Sequence, residues 1–366
     1  MTKLVVGNLI HRPLRSLISA FAVGIEVIMI LSIAAVMFGM LNGTKTRQSG
    51  IGMDMIAHPG AASNLVGQTS ASASVKDAAV LLRLPHVLVA APVYVKLVAG
   101  ASLENIYGID FASFDALKPF VFLSGGPFQH DYDIIVDDFV EAKGFHVGSK
   151  MKVLGHEFTV CGVVEHGKGG RKYIPIKTMG DIDTNPGKAS LFYLKTENQP
   201  QFQEAVRKEL LATDGLQDWD VQTLQEFLDT ITPERMPGFN IALRIVVGIA
   251  SIIGFLVIFQ SMYTAVMERT REIGILKSMG ASKAYIVSGI LRETGLLAAV
   301  GIVFGIASTY LLRAILHYKI PAQDFSLTPR WVGIATLIAL TGALFGALYP
   351  ALKAARKDPI DALSYE

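Results

Sequence analysis

Four long apolar runs decide what this chain can become. They cover Leu17–Leu41, Ile245–Met267, a third run beginning near Tyr285, and Trp331–Leu352. The second and fourth contain no Asp, Glu, Lys or Arg, and the third is uncharged from Thr294 to Leu312. A hydrocarbon core of about 30 Å takes roughly 20 helical residues to cross, and each run is long enough. Hydrophobic residues make up 51% of the 366 positions, more than an ordinary soluble domain buries. The sequence therefore predicts four transmembrane α-helices. A formal net charge of +2 leaves no global basic field, so nucleic acid is not an expected partner.

Flanking charge sets the orientation. Lys3, Arg12 and Arg15 precede the first run, and Arg269, Arg271, Lys277 and Lys283 separate the second from the third. Lys353, Arg356 and Lys357 follow the fourth. Placing all three groups in the cytoplasm satisfies the positive-inside rule with both termini inside. The first run is too long for a cleaved leader and no small-x-small site closes it, so it reads as a retained anchor. The division is a cytoplasmic amphipathic segment 1–16, spans 17–41, 241–267, 285–316 and 331–352, an extracytoplasmic domain 42–240, a charged cytoplasmic segment 268–284, an outer loop 317–330 and a cytoplasmic tail 353–366.

The large segment between the first two spans reads as a two-part α+β domain. Asn42–Gly52 is polar and glycine-containing, a transition out of the membrane. Met53–Ala57, strands within Val87–Ala99 broken at Pro92, Asn105–Ile109, Ala189–Thr196 and Trp219–Gln222 have strand character. Val75–Leu84, Gln199–Ala212 and Leu224–Thr230 have helical periodicity, and Ala61–Ser74 reads as a loop. Between these halves, residues 111–183 hold short strands at Asp133–Val136, Lys150–Leu154, Phe158–Val164 and Lys172–Ile176 separated by glycine turns, which predicts a β-rich insertion.

Several motifs carry less than they suggest. Gly162–Gly169 nearly matches GxxxxGK[ST], but Gly169 stands where a magnesium-binding hydroxyl is needed and a strand follows, so a glycine-rich hairpin is expected. No other Walker-type sequence occurs, so the chain is not expected to carry an ATPase of its own. His156, Glu157, Glu165 and His166 flank one strand at a spacing that fits no metal motif. Cys161 lies in an alternating run and reads as a buried strand thiol. Gly301-x-x-x-Gly305 and Gly342-x-x-x-Gly346 allow close helix approach within one subunit or between two. Glu26 lies inside the first span, where a carboxylate is a candidate functional group.

The charged segment between spans two and three is the most specific feature. It runs Glu268-Arg269-Thr270-Arg271-Glu272-Ile273-Gly274-Ile275-Leu276-Lys277-Ser278-Met279-Gly280. Its charge keeps it at a membrane surface. Ile273, Leu276 and Met279 recur at i, i+3, i+6, which assigns them to one side of a helix, with Arg269, Arg271, Glu272 and Lys277 elsewhere. Gly280 is a helix stop.

This segment, continued by Ala281-Ser282, resembles the signature of the MacB/FtsX-like family of ABC transporter permeases. Glu293 falls where that family carries an acid in its third helix. Tyr349-Pro350-Ala351, Ala354-Ala355 and Asp358–Leu363 resemble its closing motif. The likeness is closest over the last third of the chain and weakest in the middle. It implies a non-catalytic inner-membrane subunit whose segment 268–280 meets an ATPase subunit, which holds ATP and Mg. It also implies a second permease copy in a homodimer, and movement of the outer domain rather than threading of substrate through the bilayer. An exporter or extractor is the leading expectation, with a periplasmic adaptor and an outer-membrane channel as its marking partners. The alternative is an FtsX-like regulator of a cell-wall hydrolase.

Overall fold

The computed structural model describes residues 13–60, 72–99, 103–197, 200–235, 238–319 and 324–357. The expected amphipathic stretch over Lys3–Ser16 lies almost wholly outside these residues, as do most of the Ala61–Ser74 loop and the closing motif Asp358–Leu363.

In chain order the elements are α1 (Pro13–Gly50), β1 (Met55–Pro59), β2 (Ala73–Ser74), α2 (Asp77–Leu81), β3 (Val87–Ala99), β4 (Leu103–Ile109), α3 (Phe111–Leu117), β5 (Phe122–Gly125), β6 (Asp133–Asp137), α4 (Asp138–Glu141), β7 (Lys150–Val153), β8 (His156–Val164) and β9 (Lys172–Pro175). There follow α5 (Ile176–Ile182), β10 (Lys188–Ala189), β11 (Leu191–Thr196), α6 (Pro200–Ala212), β12 (Trp219–Thr223), α7 (Leu224–Thr230), α8 (Phe239–Glu268), α9 (Thr270–Ser278), α10 (Lys283–Lys319) and α11 (Pro329–Arg356). Two compact units emerge, one of Met1–Met40 with Pro237–Glu366 and one of Leu41–Met236.

In the helical unit, α1, α8, α10 and α11 are long and apolar enough to cross a membrane. Small residues let them approach. A Cβ on Gly301 would lie 2.4 Å from the Ala20 carbonyl oxygen, and one on Gly305 would lie 2.8 Å from that of Gly24. The first GxxxG pair therefore packs α10 on α1 within the subunit. In the second, Gly346 abuts the Phe255 carbonyl of α8, whereas a Cβ on Gly342 would meet nothing within 4 Å among the described residues. Val23, Val27, Ile30, Ile258, Met262, Ala298, Ala335, Ala339 and Ala343 fill the centre. This mixture of alanine and β-branched side chains suits packing without a hydrophobic drive between helices.

The α+β domain is built on one ten-stranded sheet in the order β12-β1-β11-β3-β4-β9-β6-β8-β5, with β7 paired to β8. Residues 111–183 supply β5 to β9, as the sequence predicts, but these do not form a sheet of their own. Strand β9 pairs in parallel with β4, Ile106 opposite Lys172 and Tyr107 opposite Tyr173. Two further expectations are corrected. Strand β3 runs unbroken through Pro92, because β4 begins pairing only at Val93 and so asks no N–H of the proline on that side. Strands β8 and β9 form no hairpin, because β6 lies between them. Helix α1 also outlasts its apolar run by nine residues, so that much of the expected polar transition is helical through Gly50.

Candidate functional site

The segment Glu268–Gly280 folds as a separate short helix. Helix α8 ends at Glu268, Arg269 breaks the line with φ −105°, and α9 resumes at Thr270. Its far end closes as a Schellman motif, in which the Gly280 N–H donates to the Lys277 carbonyl and the Ala281 N–H to that of Leu276, both at 3.0 Å. Gly280 adopts φ +91°, the left-handed geometry that a glycine supplies without strain. Ser282 Oγ then accepts from the Tyr285 N–H at 3.2 Å and caps α10.

Five residues of this segment turn inward. Thr270 and Gly274 are buried, and Ile273 packs with Val266, Ile286, Ala354 and Ala355. Lys277 Nζ donates to the Ala355 carbonyl at 3.1 Å and also to that of Lys357, so it satisfies the C-terminal end of α11. Arg269 reaches Glu293 of α10, with Nη1 3.2 and 3.1 Å from the two carboxylate oxygens. Both side chains of this pair are nearly buried, at 13% and 10% exposure. Helix α9 is thereby fastened to the ends of three long helices.

The outward residues include Glu268, Arg271, Glu272, Ile275, Leu276 and Met279. Met279 is 71% exposed, Ile275 44% and Leu276 37%. The i, i+3, i+6 assignment is thus only partly right: Leu276 and Met279 face out, but Ile273 belongs to the interior. Arg269 and Lys277 face inward. Sequence reading also missed Ile275, and missed the partners of Arg269 and Lys277. The available signal was Glu293 itself, since an acid in an apolar run asks for a nearby cation.

Two family models match this chain. The MacB-like periplasmic core domain matches residues 16–210, more than half of the sequence, and the FtsX-like permease C-terminal domain matches residues 244–359. The chain belongs to the MacB/FtsX-like ABC permease family. The macrolide export ATP-binding/permease protein MacB of Chromobacterium violaceum is 31% identical over 165 residues, covering 45% of this chain and 25% of that protein. MacB of Escherichia coli strain K12 is 37% identical over 153 residues, covering 42% and 23%. The chain thus spans about a quarter of the length of these curated relatives. Among solved structures, the periplasmic region of MacB from Actinobacillus actinomycetemcomitans aligns over 51% of this chain and 96% of its own, at 17% identity and a TM-score of 0.39. As a MacB/FtsX-like permease with four apolar helices, this is a multi-pass inner-membrane protein.

The remaining polar candidates are structurally distinct. Glu26 is 4% exposed, and its Oε1 is buried with no hydrogen-bond partner among the described residues. Its carboxylate lies against Gly254 of α8, where an added Cβ would come 1.9 Å from Oε2. Seven residues earlier on α1, Ser19 shares a hydrogen bond with Ser261, seven residues later on α8. The two helices therefore run antiparallel along a heptad seam with Glu26 inside it. Removing an orphaned buried oxygen relieves about 1–3 kcal/mol. Glu26→Leu should accordingly raise the thermal unfolding midpoint of the detergent-solubilised chain; a lower midpoint would mean that the carboxyl is satisfied in the folded protein. In the α+β domain, Glu157 pairs with Lys150 and His166 with Asp138, and no group of three metal-capable side chains occurs among the described residues. Cys161 is half-buried, with its thiol pushed up to about 12 chiefly by burial.

Proposed function

We propose that this chain is the membrane subunit of an ABC exporter or extractor, working as a homodimer with separate cytoplasmic ATPase subunits. The observation that carries this reading is helix α9, whose outward apolar residues Ile275, Leu276 and Met279 are rimmed by Glu268, Arg271 and Glu272. Apolar anchors inside a charged rim are the usual anatomy of a protein–protein interface. The internal ties of Arg269 and Lys277 make α9 a lever on the helical bundle. ATP and Mg belong to the partner. Closure of the ATPases moves α9, and the long helices carry that motion to the α+β domain outside the inner membrane. A periplasmic adaptor and an outer-membrane channel would complete an export route.

This reading requires α9 in the cytoplasm and the α+β domain outside. In a Cys161→Ser background, Ser124→Cys should react with a membrane-impermeant maleimide in spheroplasts, and Ser282→Cys only after permeabilisation. Both positions are exposed. Labelling of Ser282→Cys in intact spheroplasts would overturn the orientation and the function with it.

A further inference from the structure

We infer that the C-terminal end of helix α1 is a wedge that sets the angle between the two halves of the α+β domain. The use of such a wedge in transport rests on the function proposed above; its existence does not. Two halves are visible in the packing. One has its own core of Met55, Leu81, Phe192, Leu194, Val206 and Leu210. The other centres on Ile134, Val136, Met151, Phe158, Val160 and Val163, and Tyr94 of β3 and Ile106 of β4 pack into it from across the join. The sheet joins them through the short parallel ladder of β4 and β9. A parallel ladder is slightly weaker per residue than an antiparallel one, so this join is the natural place to flex.

The end of α1 sits on that join and holds both sides. Towards the first half, Gln48 is 3% exposed and its Nε2 donates to the Tyr107 hydroxyl of β4 at 3.1 Å. Towards the second, the Gly169 N–H donates to the Arg47 carbonyl at 2.8 Å. Gly50 lies so close to the same loop that a Cβ there would be 1.8 Å from the Gly167 carbonyl oxygen. Ile51, fully buried, continues into the core shared by Tyr107, Phe114, Tyr173 and Tyr193. The loop that resembled a phosphate cradle is therefore a backbone socket for a helix end.

The socket is fixed from behind. Lys168 is 6% exposed and donates to the carbonyls of Phe114 and Lys118 at the end of α3, with its ammonium 3.8 Å from the Phe120 ring centroid. Burial pulls this ammonium down to about 8. The Tyr173 hydroxyl, opposite Tyr107 across the join, donates to the Gly170 carbonyl at 2.7 Å. Movement of α1 along or about its axis thus bears on β4 through one hydrogen bond and on β9 through the adjoining loop. The residues Gln48, Gly50, Tyr107 and Gly169 are positioning residues for this motion.

The test is a distance across the join. Spin labels are placed on cysteines at exposed Lys143 and Lys208, one in each half, in the full-length Cys161→Ser chain reconstituted in nanodiscs. The unmodified wedge should give one narrow distance distribution. Gln48→Leu and, separately, Gly50→Ala should broaden or shift it, and hydrogen exchange should rise at 103–109 and 167–175 while 191–196 and 219–223 keep their protection. The same measurement is then made on complex purified with its ATPase, nucleotide-free and trapped with ATP and vanadate. A shift on trapping that both variants lose, with ATP hydrolysis retained, supports the wedge. Identical distributions and exchange in both variants overturn the wedge, and a hydrolysing complex whose distance never changes overturns its use in transport. If no ATP-hydrolysing partner is recovered, the functional proposal fails, and the nanodisc measurements still decide the wedge.

Discussion

Leu276→Asp and Met279→Asp, singly and together, are expected to strip vanadate-sensitive ATP hydrolysis from the chain purified out of its own host's membranes. Both side chains are exposed on α9 and make no part of the packed cluster beneath it. Burying an apolar anchor of this size in a partner is worth about 1–3 kcal/mol, roughly tenfold to a hundredfold in affinity. An aspartate at either position also leaves a charge to be desolvated, so the double substitution should abolish recovery of the ATPase. Expression, membrane insertion and the protease pattern of the α+β domain should be unchanged. Ile273→Asp and Gly274→Trp are controls of a different kind. They strike the buried side of α9 and should lower the stability of the helical unit itself. Full ATP hydrolysis in the Leu276/Met279 double variant would show that α9 is only a connector and that the partner binds elsewhere.

The contrast between Ile273 and Met279 shows where sequence reasoning stops. Apolar runs of about 20 residues announce spanning helices without any knowledge of packing, and all four were legible. So were β6, β7, β8 and β9, whose alternation and glycine boundaries are local signals. Helix α7 is written in its own cap, with Thr223 and Glu226 exchanging side-chain and backbone hydrogen bonds. The inner face of α9 was harder because its members are Thr270, Ile273, Gly274 and Lys277. These fall at i, i+3, i+4 and i+7, a true helical stripe, but only one of them is strongly apolar. Hydrophobic periodicity instead picked out Ile273, Leu276 and Met279, whose first and last members lie about 120° apart around a helix of 3.6 residues per turn. The join of β4 to β9 was hidden for another reason. It pairs residues such as Tyr107 and Tyr173 across a long stretch of chain, and parallel pairing leaves no turn signature. The socket for α1 has a sequence signal, the glycines of 162–170, but their spacing suggests a ligand more readily than a helix end.

The ion pair of Arg269 and Glu293 should prove the most sensitive single feature of the helical unit. It is nearly desolvated, and Glu293 has an exposure of 8% overall. Breaking such a pair leaves the surviving charge unpaired, at a cost of about 3–5 kcal/mol. Arg269→Met and Glu293→Leu should therefore each depress the unfolding midpoint strongly, whereas the double variant Arg269→Met/Glu293→Leu should recover much of the loss, because no orphaned charge remains. Function should separate from stability at this point. The double variant keeps a folded bundle but lacks the polar tie between α9 and α10, so ATP should still be hydrolysed while motion of the α+β domain is weakened. Thermal unfolding in detergent gives the first comparison, and the Lys143–Lys208 label distance, read on the trapped complex, gives the second. If the double variant is no more stable than the two singles, the pair is not a closed electrostatic unit. If it restores stability and the trapped distance shift remains complete, Arg269 and Glu293 serve the fold alone and Lys277 with the packing of Ile273 suffices to hold the lever.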